Sequence, residues 1–304
     1  MARPMAHNVI PRIRCAGVTH RHLFLLALAM TSCSKDESRP TEDAAAPLQT
    51  TFGGARPVDI RVPAGYDASR PAPLLLALHG YGSSGRFNDI TMKLTTIADA
   101  KGFIYVAPDG TRDSKDLLFW NATDECCDYD KSGVDDVGYL TSLVDEIRTV
   151  YAIDTKRVFV VGHSNGAFMA NRLACDRADV FAAIVSWAGA PFADASRCRP
   201  STSVGYLQLH GTKDMEVPFD AVATQVTGIW AEKNSCAASL DPTGTVLRVD
   251  ADSTAPDTKI ARHGGCTGNG AAELWPVDGA GHVFTLTPEA LEALWTFLDG
   301  HAKR

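Results

Sequence analysis

The segment Arg157-Val-Phe-Val-Val-Gly-His-Ser-Asn-Gly-Ala-Phe-Met-Ala170 places one serine of this 304-residue chain in surroundings that favour nucleophilic chemistry. A run rich in valine and phenylalanine leads into Gly162-His163-Ser164-Asn165-Gly166, and a helix-forming stretch follows at once. Strand, Gly-x-Ser-x-Gly and helix in that order form a nucleophile elbow, a tight turn that holds the serine hydroxyl clear of its backbone. Glycine flanks the serine because a side chain on either side would collide with neighbouring backbone. The helix start then turns its positive dipole end towards charge developing on a substrate carbonyl, which is the chemistry of acyl transfer.

A serine hydroxyl is a weak nucleophile until a base takes its proton, and the base needs an acid to orient it. After an elbow of this kind the acid and then the histidine follow in chain order. Tyr206 to His210 reads as a strand running into Gly211-Thr-Lys-Asp-Met-Glu-Val-Pro218, so Asp214 stands soonest after the strand, with Glu216 and Asp220 as the alternatives. Ala272 to Val277 likewise runs into Asp278-Gly-Ala-Gly-His282, a glycine-flanked loop able to deliver an imidazole. The competing histidines are His163 inside the elbow, His79 and His210 at strand ends, and His263 and His301 in polar surroundings.

Leu74 to Leu78 leads into His79-Gly80-Tyr81-Gly82-Ser-Ser-Gly85, a glycine-rich turn of the kind that aims a backbone N–H at a carbonyl oxygen. The N–H groups of Tyr81 and Asn165 are assigned to the oxyanion hole. A phosphate-cradling loop would need a lysine and a Ser/Thr after the glycines, and both are missing. Trp120, Trp187 and Phe284 are the candidate substrate-contacting aromatics.

The elements that must carry these residues are legible as apolar runs alternating with helix-period segments. That pattern belongs to a mostly parallel sheet covered on both faces. Strands are predicted at Val58 to Val62, Leu74 to Leu78, Ile104 to Ala107, Val158 to Gly162, Ala183 to Trp187, Tyr206 to His210 and Ala272 to Val277. Asp135 or Asp136 can cap a helix reaching about Tyr151, with Leu140, Leu143, Val144 and Ile147 on one face. A last helix starts at Thr287-Pro288 and buries Leu291, Leu294, Trp295 and Leu298. The candidate serine, acid and histidine all fall at carboxyl ends of parallel strands, where such sheets build their sites.

Composition places these elements in a globular, acidic protein: 45% hydrophobic residues and a net charge of −7 exclude a disordered chain and give no footprint for nucleic acid. The basic residues before Cys33 are Arg3, Arg12, Arg14 and Arg21, and without them 25 basic groups face 36 acidic ones. Arginines, the apolar run Leu23 to Met30 and Thr31-Ser32-Cys33 read as an export signal over residues 1–32, too short in its apolar part to span a bilayer. Small residues before Cys33 resemble a lipobox, which would make Cys33 the lipid-modified anchor to a membrane; the competing reading is cleavage after Ala27-Leu28-Ala29 and a periplasmic or secreted protein. Residues 33–51 form a polar linker and 52–304 one catalytic domain. In an exported protein Cys126, Cys127, Cys175, Cys198, Cys236 and Cys266 read as disulfides, of open connectivity, and their spacing fits no zinc site.

Taken in order, Val62-Pro-Ala-Gly-Tyr66, Leu78-His-Gly80, Ala107-Pro-Asp-Gly110, Trp120-Asn-Ala122 with Cys126-Cys127, Val134-Asp-Asp-Val-Gly138, the elbow, His210-Gly-Thr-Lys-Asp214 and Gly281-His282 resemble one family. It comprises the secreted esterases of the α/β-hydrolase superfamily that include poly(3-hydroxybutyrate) depolymerase-like proteins and feruloyl or acetylxylan esterases. The resemblance implies an α/β-hydrolase fold with no large lid domain, a triad of Ser164, Asp214 and His282, and hydrolysis of carboxylic esters through an acyl-enzyme. It implies no metal, organic cofactor or obligatory protein partner, and it pairs Cys236 with Cys266. One departure bears on specificity: the family often follows its histidine with Trp-Pro, where this chain has Val283-Phe284-Thr285. No separate polymer-binding domain is expected after a helix ending near Leu298, which favours small or oligomeric esters. A non-catalytic surface lipoprotein of the same fold and a peptidase are the competing classes.

Overall fold

The computed structural model describes residues 48–255 and 257–304. The segment expected to be an export signal, the expected lipobox and Cys33 lie outside the described residues. The chain enters through two short strands, β1 (Thr51–Phe52) and β2 (Val58–Arg61), before β3 (Ala72–Leu78). Helices α1 (Gly85–Met92) and α2 (Thr95–Lys101) then lead to β4 (Ile104–Val106), and a small hairpin follows from β5 (Thr111–Arg112) and β6 (Leu118–Phe119). Next come α3 (Asp136–Val150), β7 (Ile153–His163), α4 (Asn165–Asp176), β8 (Ala183–Trp187) and β9 (Gly205–Gly211). Helix α5 (Phe219–Lys233), β10 (Leu240–Leu247), β11 (Thr258–His263), β12 (Ala271–Val277) and α6 (Pro288–Gly300) complete the order.

Among the described residues ten strands form one sheet in the order β1-β2-β4-β3-β7-β8-β9-β12-β11-β10. The six from β4 to β12 run parallel, and the edges are antiparallel. The antiparallel pair β10 and β11 is absent from the sequence expectation, which ends the sheet at the strand now called β12. Successive side chains of β3 point to opposite faces, as strand geometry requires. Leu74, Leu76 and Leu78 join one apolar layer with α3, α4 and α5, whereas Leu75 and Ala77 join a second layer with α2 and α6.

Both predicted helix starts hold. The Asp135 carboxylate accepts from Gly138 N at 2.8 Å and caps α3, while Asp136 instead pairs with Arg56 and accepts from Asn121 N at 2.7 Å. Thr287 Oγ1 accepts from Ala290 N at 3.0 Å ahead of Pro288, the first residue of α6.

Strand order reverses direction at β3: the chain steps to β4 on one side and reaches β7 on the other. The loops leaving β3 and β7 therefore diverge and open a crevice at the carboxyl ends of the strands. Cys175 is bonded to Cys198, Cys236 to Cys266 and Cys126 to its neighbour Cys127.

Candidate active site

Ser164 sits between the end of β7 and the first turn of α4 with φ 53° and ψ −122°. A non-glycine residue there costs on the order of 1–3 kcal/mol unless its surroundings impose the turn. Here they do. Ser164 N donates to Trp187 O at 2.8 Å, and Ser164 O accepts from Ala167 N at 2.7 Å and Phe168 N at 3.0 Å. A Cβ on Gly162 would stand 2.1 Å from Gly166 O, and one on Gly166 would stand 2.2 Å from Leu78 O, so both flanking positions are closed to side chains.

Asp214 is carried by the loop after β9, with its side chain fully buried. Its Oδ1 accepts from the N–H groups of Glu216 and Val217, both at 2.9 Å. Its Oδ2 lies 2.7 Å from Nδ1 of His282, on the loop after β12, and 3.3 Å from Nε2 of His210. Burial alone would raise the Asp214 pKa, but the His282 hydrogen bond and the two N–H donors outweigh it and hold the carboxyl below the ordinary value. Facing a carboxylate fixes the proton of neutral His282 on Nδ1 and leaves Nε2 free to accept. The alternative acids do not compete for that position: Glu216 is exposed and reaches only Nε2, at 3.7 Å, and Asp220 is exposed in the first turn of α5. Gly211 lets the two loops meet, because a Cβ there would stand 2.2 Å from Gly281 O.

The loop after β3 crosses directly over the elbow. A Cβ on Gly80 would lie 3.2 Å from His163 Nδ1 and 3.3 Å from Ser164 Cβ. Among the described residues the N–H groups of Tyr81 and Asn165 have no protein acceptor. The rest of each residue is committed elsewhere. Asn165 is buried, its Oδ1 accepts from Trp120 N at 2.7 Å and its Nδ2 donates to Trp120 O at 3.0 Å. The Tyr81 hydroxyl donates to Asp113 at 2.5 Å, which pushes its pKa up to about 12 and holds the Asp113 carboxyl low.

The three aromatics expected to touch substrate are interior residues. Trp120, Trp187 and Phe284 are 0%, 1% and 6% exposed. The Trp120 indole N–H donates to His79 O at 3.1 Å, and Trp187 packs on Phe284 with centroids 4.4 Å apart. They pack under the loops of the site. A cleft of about 500 Å³ opens along the loop after β3, lined by Tyr81, Ser83, Phe87, Arg112 and Leu118, and Ser164 and His282 are not among its lining residues.

Two histidines passed over in the sequence touch the constellation. His163 Nε2–H donates to His282 O at 2.9 Å. His210 Nε2–H donates to Val217 O at 2.8 Å, and its Nδ1 accepts from Gln208 Nε2 at 3.0 Å. Tyr206 donates in turn to Gln208. Tyr206, Gln208 and His210 at alternate positions form a polar face on an otherwise buried strand, and that alternation is the signal that could have marked them. Burial keeps both imidazoles neutral, pulling His163 down to about 4 and lowering His210. Among the described residues no cluster of His, Cys, Asp or Glu is arranged to hold a metal ion.

The profile of the esterase PHB depolymerase family matches residues 59–223, from β2 through the elbow and Asp214 into α5. The chain belongs to this family. Among curated relatives, NocK of Nocardia uniformis subsp. tsuyamanensis, named as an esterase, is 30% identical over 203 residues, covering 65% of this chain and 57% of its own. Feruloyl esterase B of Piromyces equi is 25% identical over 245 residues, covering 75% of this chain and 42% of its own. The chain thus spans about half the length of the curated relatives it matches. Among solved structures, an acetyl xylan esterase from Aspergillus awamori superposes with a TM-score of 0.62 at 16% identity, covering 84% of this chain and 99% of that one. A ferulic acid esterase from Anaeromyces mucronatus, in complex with ferulic acid, gives 0.53 at 17% identity, covering 88% and 96%. These likenesses establish the α/β-hydrolase fold.

Proposed function

We propose that this chain is a serine hydrolase of carboxylic esters that works through an acyl-enzyme. The observation that carries the reading is the 2.7 Å bond between Asp214 and His282, whose main chain is hydrogen-bonded to His163, the residue before a serine held in an elbow. In the proposed cycle His282 Nε2 takes the proton of Ser164 as Oγ attacks the ester carbonyl. The Asp214 carboxylate stabilises the imidazolium that forms. The N–H groups of Tyr81 and Asn165 hold the oxyanion, aided by the dipole of α4. His282 then protonates the leaving alcohol, and a water molecule, activated by the same base, releases the acid and restores Ser164.

The names of the relatives point to feruloyl or acetyl esters of plant polysaccharide, and the family to hydroxyalkanoate esters. Three disulfides among the described residues suit an oxidising compartment, which supports export, and the reading of Cys33 as a lipid anchor rests on the small residues before it. The test is hydrolysis by the full chain of methyl ferulate, a 3-hydroxybutyrate oligomer and a matched amide, each against Ser164→Ala. Serine-dependent turnover of an ester in preference to the amide is expected. Folded protein with no ester turnover and no reaction with a serine-directed phosphonate would overturn the reading.

A further inference from the structure

His163 has no part in the cycle above, yet its side chain joins the elbow to the loop of the base. The Nε2–H donates to the main-chain carbonyl of His282 at 2.9 Å, across 119 residues of sequence. Among the described residues this is the hydrogen bond that the His282 main chain makes. The two rings also pack, with centroids 4.8 Å apart, and the His163 and Trp187 rings meet in a T-shaped arrangement with centroids 5.3 Å apart. Trp187 supports Phe284, two residues beyond the base.

The two ends of this contact are held by different elements. His163 ends the buried strand β7 and pairs with Trp187 of β8, so its position is fixed by the sheet. His282 follows Gly279-Ala280-Gly281, in which Gly279 has φ 72° and donates its N–H to Thr212 Oγ1 at 2.9 Å, while Ala280 O accepts from Lys213 N at 2.9 Å. Those bonds end at Ala280 and the Asp214 bond orients the ring of His282, so among the described residues the bond that acts on the His282 main chain itself comes from His163. A Gly-x-Ser-x-Gly turn accepts many residues at its second position, and here that position carries a donor of the length needed to reach across the site.

We propose that His163 is a positioning residue, whose Nε2–H registers the His282 main chain against Ser164 so that the base meets the nucleophile. The proposal rests on the serine-esterase reading and adds to it a residue that touches neither substrate nor reacting atoms. The donor is present in neutral imidazole, and burial together with the adjacent His282 keeps His163 neutral above about pH 4.

The test compares His163→Phe, which keeps a ring and removes the donor, with His163→Gln, whose amide Nε2 sits where the imidazole Nε2 does. Both are made in the full chain and assayed for ester kcat and KM, and for the rate at which a phosphonate labels Ser164. Displacement of a catalytic group by about 1 Å costs on the order of 10²-fold in rate, so His163→Phe is expected to lower kcat and labelling by about that factor with KM little changed. His163→Gln is expected to recover most of both rates. Should the Phe variant fail to fold, His163→Asn takes its place, since its shorter amide leaves the His282 carbonyl unpaired while keeping a polar side chain. Retention of kcat within about threefold by the donor-free variant, equal losses in it and in Gln, or a loss confined to KM would each overturn the proposal. A wild-type chain that neither hydrolyses esters nor labels would instead overturn the esterase reading itself and the positioning role with it.

Discussion

Asp214 divides its carboxylate between two tasks: Oδ1 is held by the N–H groups of Glu216 and Val217, and Oδ2 faces His282 Nδ1 at 2.7 Å. The main-chain donors fix the acid, so its second oxygen has one direction left to point. Asp214→Asn would keep the first task, because an amide oxygen can accept the same two N–H bonds. It would turn an NH₂ towards Nδ1 and force the proton onto Nε2, the wrong tautomer for a base. The account therefore predicts a folded protein with kcat lowered on the order of 10⁴-fold, checked by kinetics beside a thermal melt.

Gly211 and Gly281 bring the acid loop and the base loop into contact. A methyl group on Gly211 would sit 2.2 Å from Gly281 O and 2.5 Å from Ala280 O, and neither atom belongs to a side chain that can swing away. Gly211→Ala is expected to push the His282 loop outward and to reduce kcat by about 10²-fold or more, with substrate binding affected less. Separate measurement of kcat and KM checks this.

Much of this arrangement was legible in the sequence, and what was not has physical causes. The six parallel strands are buried on both faces, and their apolar runs betray them. Strand β10 lies at an edge, contains Pro242 and Gly244, is largely exposed and has a register break between Pro242 and Val246, so it carries neither an apolar run nor a clean alternation. That Ser164 stands in a tight turn and Asp214 and His282 in loops after strands is legible because such turns demand glycine and apolar runs end where loops begin. Trp120, Trp187 and Phe284 are buried, and neither a strand end nor a loop position tells from the sequence whether a ring turns to solvent or under the loop. His163 was passed over for a related reason: its partner is a carbonyl 119 residues away, and main-chain acceptors leave no mark in a sequence.

The disulfides differ in what they contribute to stability. Cys175–Cys198 and Cys236–Cys266 close stretches of 23 and 30 residues, so each removes unfolded-state entropy equivalent to about 3–4 kcal/mol. Cys126–Cys127 joins neighbours and closes no such loop. Cys236→Ser with Cys266→Ser is expected to lower the denaturation midpoint strongly, whereas the paired serine replacement at 126 and 127 should cost far less. Urea denaturation of the two double variants checks the contrast.

Buried neutral histidines make stability fall on acidification. In the unfolded chain His163 gains its proton below its ordinary value of 6.5, but in the folded protein only near 4. Between those values the unfolded state binds more protons, so stability drops as pH falls, by about 1.4 kcal/mol per unit from this group. His79 and His210, also lowered by burial, add in the same direction. The Asp214 contribution is lost only at lower pH, as the carboxyl protonates below 3.8. Urea midpoints at pH 7 and pH 5 should therefore differ clearly in the wild type and less in His163→Phe.

The central claim is that Ser164 forms a covalent acyl intermediate. Its most direct test is intact and peptide mass spectrometry of the full chain quenched during turnover of an activated aryl ester, with Ser164→Ala alongside. The account predicts one acyl group on the peptide that contains Ser164, none in the alanine variant, and a loss of turnover there on the order of 10⁶-fold. Ester turnover that continues in Ser164→Ala, or an acyl group found on another residue, would contradict it.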